Sequence, residues 1–110
     1  MRLPNHRIEA EISALKPFVN YNGTITAHQS GDIYAVWHWN TKIAEFNTAS
    51  QKLEFLQVGY ISQTTSALVG RILRALPDAA VLEFINALGD NQQRKRLMRM
   101  TRLDDLPQIY

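Results

Sequence analysis

Apolar and polar positions alternate loosely with a period near two from Thr24 to Phe46, and from Ser66 onward the apolar residues recur every three or four positions. The first regime predicts strands and the second predicts helices. Thr24–Gln29 is rich in β-branched residues and reads as a strand, Ser30-Gly31-Asp32 as a turn, and Ile33–Trp39 as the most β-prone run of the chain. Thr41–Phe46 follows as another strand after a break at Asn40. Ahead of them Asn20-Tyr21-Asn22-Gly23 reads as a turn, because Asn-Gly tolerates positive φ. Asn47–Gln51 is a polar loop, and Leu53–Phe55 and Val58–Ile61 add one or two short strands. The short spacing between turns predicts an antiparallel meander.

Four helices frame this region. Asn5–Lys16 is predicted as a short one, with Asn5 as N-cap, Glu9 and Glu11 near its positive end, Ile8, Ile12 and Leu15 on one face, and Pro17 as its stop. Ser62-Gln63-Thr64-Thr65-Ser66 opens the next, where hydroxyls can accept from unpaired N–H groups. Leu68, Ile72 and Leu76, joined by Val69 and Leu73, form its inner face, and Arg71 and Arg74 are expected to point to solvent. Pro77 ends it, and Asp78 is expected to cap Ala79–Leu88, which Gly89 closes. Asp90 or Asn91 starts the last, running to Leu103, before an irregular tail.

Strands followed by helices predict an α+β fold: an antiparallel sheet of three to five short strands over about residues 24–61, packed by an N-terminal short helix and two or three C-terminal helices. A chain of 110 residues makes one domain, residues 1–110, with 24–61 the strand region and 62–103 the helical region. Within Ile33–Trp39 both faces are apolar: Ile33, Ala35, Trp37 and Trp39 share one parity, and Tyr34, Val36 and His38 the other. That pattern predicts helices on one face and a partner on the other. An exposed Tyr34, Trp37 or Trp39 would serve as a stacking platform for bases, and a buried one would supply core.

Charge adds one asymmetry. The net charge is only +2, and residues 1–62 are balanced, so the excess gathers in Arg94, Lys95, Arg96, Arg99 and Arg102. Lys95, Arg99 and Arg102 fall at i, i+4 and i+7 and share a helix face, Arg96 flanks them, and Leu97, Met98 and Met100 lie opposite. A ridge of this kind suits phosphates or an acidic protein surface. Positive charge near a helix C-terminus also complements the helix dipole, which is the plainer explanation of the same residues.

Candidate chemistry is sparse. There are no cysteines, which excludes disulfides, thiolate metal sites and thiol nucleophiles. His6, His28 and His38 have no ligand spacing, so no metal and no cofactor is expected. No P-loop, G-x-G-x-x-G or G-x-S-x-G string occurs, and the chain is not expected to be an enzyme. An enzyme built on His38 or His28 would need Asp32 or Glu45 gathered beside it in a cleft. No apolar run approaches the ~20 residues of a membrane span, and the first residues lack the long apolar run of a signal peptide, so a cytoplasmic address in the host cell is expected.

Trp39-Asn40-Thr41-Lys42-Ile43-Ala44, followed by Ser62-Gln63-Thr64-Thr65-Ser66, resembles small proteins encoded by phages and related mobile elements. In that family an aromatic-x-Thr-x-Ile-Ala strand precedes a Ser-x-Thr-Thr-(Gly/Ser) helix start. A histidine commonly follows the second motif there, whereas Ala67-Leu68 follow here, so no role of that histidine is carried over. The resemblance implies a sheet strand leading by a loop into a capped helix. It implies neither an enzyme nor a cofactor, and it raises the expectation of an accessory phage protein, including one that blocks a host defence system such as CRISPR-Cas.

The expected function is therefore non-enzymatic binding of a protein or nucleoprotein partner, with a homodimer as a further option. Lys95, Arg96, Arg99, Arg102, Trp37, Trp39 and Tyr34 are the contact candidates. The alternative is direct, sequence-nonspecific nucleic-acid binding through the basic helix.

Overall fold

The computed structural model describes residues 2–58 and 62–101. Five strands form one antiparallel sheet in sequence order: β1 (Phe18–Val19), β2 (Ile25–Ser30), β3 (Ile33–His38), β4 (Thr41–Asn47) and β5 (Lys52–Leu56). A 3-10 turn (Asn5–Arg7) and α1 (Ile8–Ser13) precede it, and α2 (Gln63–Ala75), α3 (Asp78–Asn86) and α4 (Asn91–Met100) follow. The fold is α+β.

Every sheet connection is a short turn, so each strand lies beside its sequence neighbour. Gly31-Asp32 joins β2 to β3 and Trp39-Asn40 joins β3 to β4, each as a two-residue loop between the pairs Ser30↔Ile33 and His38↔Thr41. In β4 a register shift beside Val36 leaves Ile43 and Ala44 both buried. At β5 a second shift comes between Glu45 and Phe46. The strand expected over Val58–Ile61 does not include Val58, and residues 59–61 lie outside the described residues.

Alternation then decides what each face does. Ile25, Ala27, Tyr34, Val36, Ile43, Phe46, Leu53 and Leu56 point inward and join Ile8, Ile12, Leu68, Val69, Ile72, Leu73, Val81, Ile85 and Leu97 in one core. The α2 stripe is thus the one its spacing predicts. Ser62 caps α2, its Oγ accepting from Thr65 N at 3.2 Å, and Asp90 caps α4 by accepting from Gln92 N and Gln93 N at 2.8 and 3.0 Å. At α3 the cap position is Pro77, with Asp78 as the first helical residue and no side-chain cap. Its carboxylate still favours the positive end of that helix.

Three local departures from the sequence reading have physical causes. The first helix stops at Ser13, short of Pro17, because Leu15 turns to φ 55° and the amides of Leu15 and Lys16 bond back to the carbonyls of Ile12 and Glu11. Arg74 does not simply point to water: its Nε donates to Glu9 at 3.1 Å and its Nη1 to the Met100 carbonyl at 3.1 Å, tying α2 to α1 and to the end of α4. Strand β1 has only two residues, too short to show alternation. Its place is fixed by pairing Phe18↔Ala27 and Val19↔Thr26, and by Leu3 N donating to the Val19 carbonyl.

Candidate interaction surfaces

The aromatic candidates separate sharply. Tyr34 lies on the inner face, 1% exposed, with its hydroxyl donating to the Lys16 carbonyl at 2.7 Å. Burial, with Glu11 adding to it, pushes its phenol well above the usual range. It is core, and its place among the contact candidates is corrected: no ligand reaches that ring.

Trp37 is on the outer face and half-buried. Its ring stacks on His28 at 6.2 Å between centroids, and Lys42 Nζ sits 5.4 Å from the ring centre while pairing with Glu45 at 3.4 Å. The indole Nε1 is buried without a hydrogen-bond partner among the described residues.

Trp39 was expected to end a strand and instead begins a turn. Its φ is 55° and its ring is 68% exposed. Bulky residues seldom take this backbone conformation, which brings Cβ close to the following carbonyl. What holds it there is visible: the Trp39 amide donates to the Thr24 carbonyl at 2.7 Å, locking this turn to the Asn20–Thr24 turn beside it. That neighbouring turn carries Tyr21, 58% exposed, with Arg2 Nη1 donating to the Tyr21 carbonyl at 3.4 Å.

The first residue of that turn, Asn20, is buried, its Oδ1 accepting from Ile25 N at 2.9 Å and its Nδ2 donating to Asn5 and Thr24. His38 anchors the opposite flank through Nδ1 and Thr65 Oγ1, 3.1 Å apart, at the start of α2.

The second surface is α4. Leu97 is buried, and Met98 and Met100 pack against the core, which leaves Lys95 and Arg99 facing outward. Neither forms an ion pair among the described residues. Arg96 bends back to donate to the Val58 carbonyl, and Arg94 caps the preceding turn through the Leu88 carbonyl and Asn91. An open groove of about 300 Å³ runs beside the ridge, lined by Asp90, Gln92, Gln93, Arg96 and Arg99. Arg102 lies outside the described residues.

The structure does not gather the groups that an enzyme built on a histidine would use. Asp32 sits in the turn at the far end of β3 from His38, Glu45 is engaged by Lys42, and His28 stacks on Trp37. Among the described residues no group of three or more His, Asp or Glu side chains could hold a metal ion, and no helix is long and apolar enough to cross a membrane. The turn at Trp39-Asn40 was the feature hardest to read in advance, since neither residue is glycine; the break at Asn40 was its only trace. The segments Trp39–Ala44 and Ser62–Ser66 fall on the Trp39 turn with β4 and on the cap of α2, and β5 intervenes between them. The chain matches no protein-family model, no curated protein and no solved structure.

Proposed function

We propose that this chain is a non-enzymatic binding protein of a phage or mobile element, which docks on a protein or nucleoprotein partner through the α4 ridge. Inhibition of a host defence system, CRISPR-Cas among them, is the setting that the sequence resemblance favours. The observation that carries the reading is that Lys95 and Arg99 project side by side with no carboxylate partner among the described residues, on a helix fastened by Leu97. Ionic groups left unpaired on a rigid helix cost a free protein little in water, and they accelerate encounter with an oppositely charged surface.

The test is affinity capture of the tagged protein from host lysate, with and without nuclease, comparing wild type with the double variant Lys95→Gln/Arg99→Gln. Arg96 is left intact because it also holds the Val58 carbonyl. Association by the double variant should be slower by about tenfold at low salt, and the difference should shrink as salt rises. Equal capture by both proteins would remove α4 from the contact. Loss of all captured material on nuclease treatment would point to direct nucleic-acid binding by the helix.

A further inference from the structure

We propose that the end of the sheet formed by the Trp39-Asn40 and Asn20–Thr24 turns binds single-stranded nucleic acid, with Trp39 and Tyr21 stacking on bases and Arg2 contacting phosphate. This surface is separate from the α4 ridge and does not depend on it.

Geometry supplies the first argument. Both rings stand mostly in solvent, and the 2.7 Å bond from the Trp39 amide to the Thr24 carbonyl joins their two turns into one unit. Two aromatic platforms on a rigid mount lose little freedom on binding, which is what a stacking site needs. Trp39 also keeps its ring in a backbone conformation that glycine would occupy without strain.

The surroundings select the ligand. A protein hot spot is an aromatic set inside an apolar patch that excludes water. Here the rings stand among exposed Asn22, Asn40 and Thr41, and among the described residues of β1 to β4 the one other large apolar side chain left exposed is Val19, at 41%. Residues 17–31 contain no Asp or Glu, Arg2 lies against the Tyr21 turn, and the adjacent start of α2 has no acidic residue in its first turn. The nearest carboxylate along β4, Glu45, is engaged by Lys42. A ligand that is anionic and carries flat, unstacked rings matches both features, and that is a single strand. In a duplex the base faces are already stacked on one another and cannot cover these rings.

Fluorescence anisotropy with labelled oligothymidylate, and with a duplex of the same length, tests this on the full chain at low salt. Trp39→Gly and Tyr21→Ala should each weaken single-strand binding by about tenfold or more. Arg2→Gln should weaken it less and flatten its salt dependence. Lys95→Gln/Arg99→Gln should leave the contribution of each ring unchanged. Because glycine relieves the strain at position 39, the Trp39→Gly protein should melt no lower than wild type, so its loss of binding is not a loss of fold. Binding should also quench tryptophan emission in wild type and not in Trp39→Gly.

No binding of the single strand by wild type would overturn the proposal, as would equal binding of the duplex. Wild-type affinity in Trp39→Gly, with loss only in the α4 double variant, would move nucleic-acid binding to α4. Binding to anionic phosphatidylglycerol vesicles in place of the oligonucleotide would reassign the aromatic end to a membrane surface.

Discussion

Strand β3 enters and leaves the sheet through two turns of the same build, and the chain fills them in opposite ways. At one end Gly31 has φ 57°, at the other Trp39 has φ 55°, and each is the first residue of a two-residue loop. Glycine is the usual occupant of such a position. A Cβ on Gly31 would meet nothing within 4 Å, so only the backbone angle asks for glycine there. The same angle at Trp39 is met by one of the largest side chains, left in water. The Gly31 end is fastened by exposed bonds, Gln29 to the Gly31 carbonyl and Thr48 to the Asp32 carbonyl. The Trp39 end is fastened by its own amide to the Thr24 carbonyl, in a neighbouring turn that buried Asn20 holds through Ile25 N and Thr24. The turn that only reverses the chain follows the local rule, whereas the turn that presents a ring breaks it and is braced by the turn beside it.

The brace is the place where this contrast can be broken most severely. Asn20→Ala should cost about 2–3 kcal/mol, because it strands the buried Ile25 amide as well as losing the bonds to Asn5 and Thr24. Gln29→Ala at the other end should cost under about 0.5 kcal/mol, since its partners are solvent-exposed. Urea denaturation of the two variants measures both, and equal losses would mean that the two ends are held alike. Next in size is Gly31→Ala, where about 1–2 kcal/mol of left-handed strain, less about 0.5–1 kcal/mol returned by the stiffer unfolded chain, leaves a loss of about 0.5–1 kcal/mol. No loss in the same measurement would show that the turn relaxes, and the argument from φ would then fail at Trp39 too.

Most of the fold was legible because its signals are local. Gly31 and Asn22-Gly23 mark turns, Ser62 and Asp90 mark helix starts, and the Leu68–Ile72–Leu76 stripe marks a buried face. The aromatic roles were not, since they depend on which side the helices cover. With both parities of β3 apolar, alternation could separate Tyr34 from Trp37 and could not say which one faces the core. Trp39 was harder still. Parity groups it with Trp37 for as long as the strand is assumed to continue, and it is the pairing His38↔Thr41 that ends the strand one residue earlier. Of the α4 ridge, the outward placement of Lys95 and Arg99 was readable from spacing, Arg102 lies outside the described residues, and the turn of Arg96 toward Val58 was not readable because it joins residues 38 apart in sequence.

The smallest effect is also the one that isolates the ring. Replacing Trp39 with glycine removes about 1–2 kcal/mol of left-handed strain, while the freer unfolded chain offsets about 0.5–1 kcal/mol of that. Little packing is lost from a side chain two-thirds in solvent, whose described ring contact is His38 at 6.4 Å. Trp39→Gly should therefore gain about 0.5–1 kcal/mol, read as a rise in the urea midpoint. Trp39→Ala keeps the strain and should fall below Trp39→Gly by about the margin that separates Gly31→Ala from wild type, because the two turns share one backbone angle. Agreement between those two differences would mean that nothing in the fold requires tryptophan at this position. If Trp39→Gly instead proved the less stable protein, the ring would have a structural duty, and its exposure would no longer speak for a ligand.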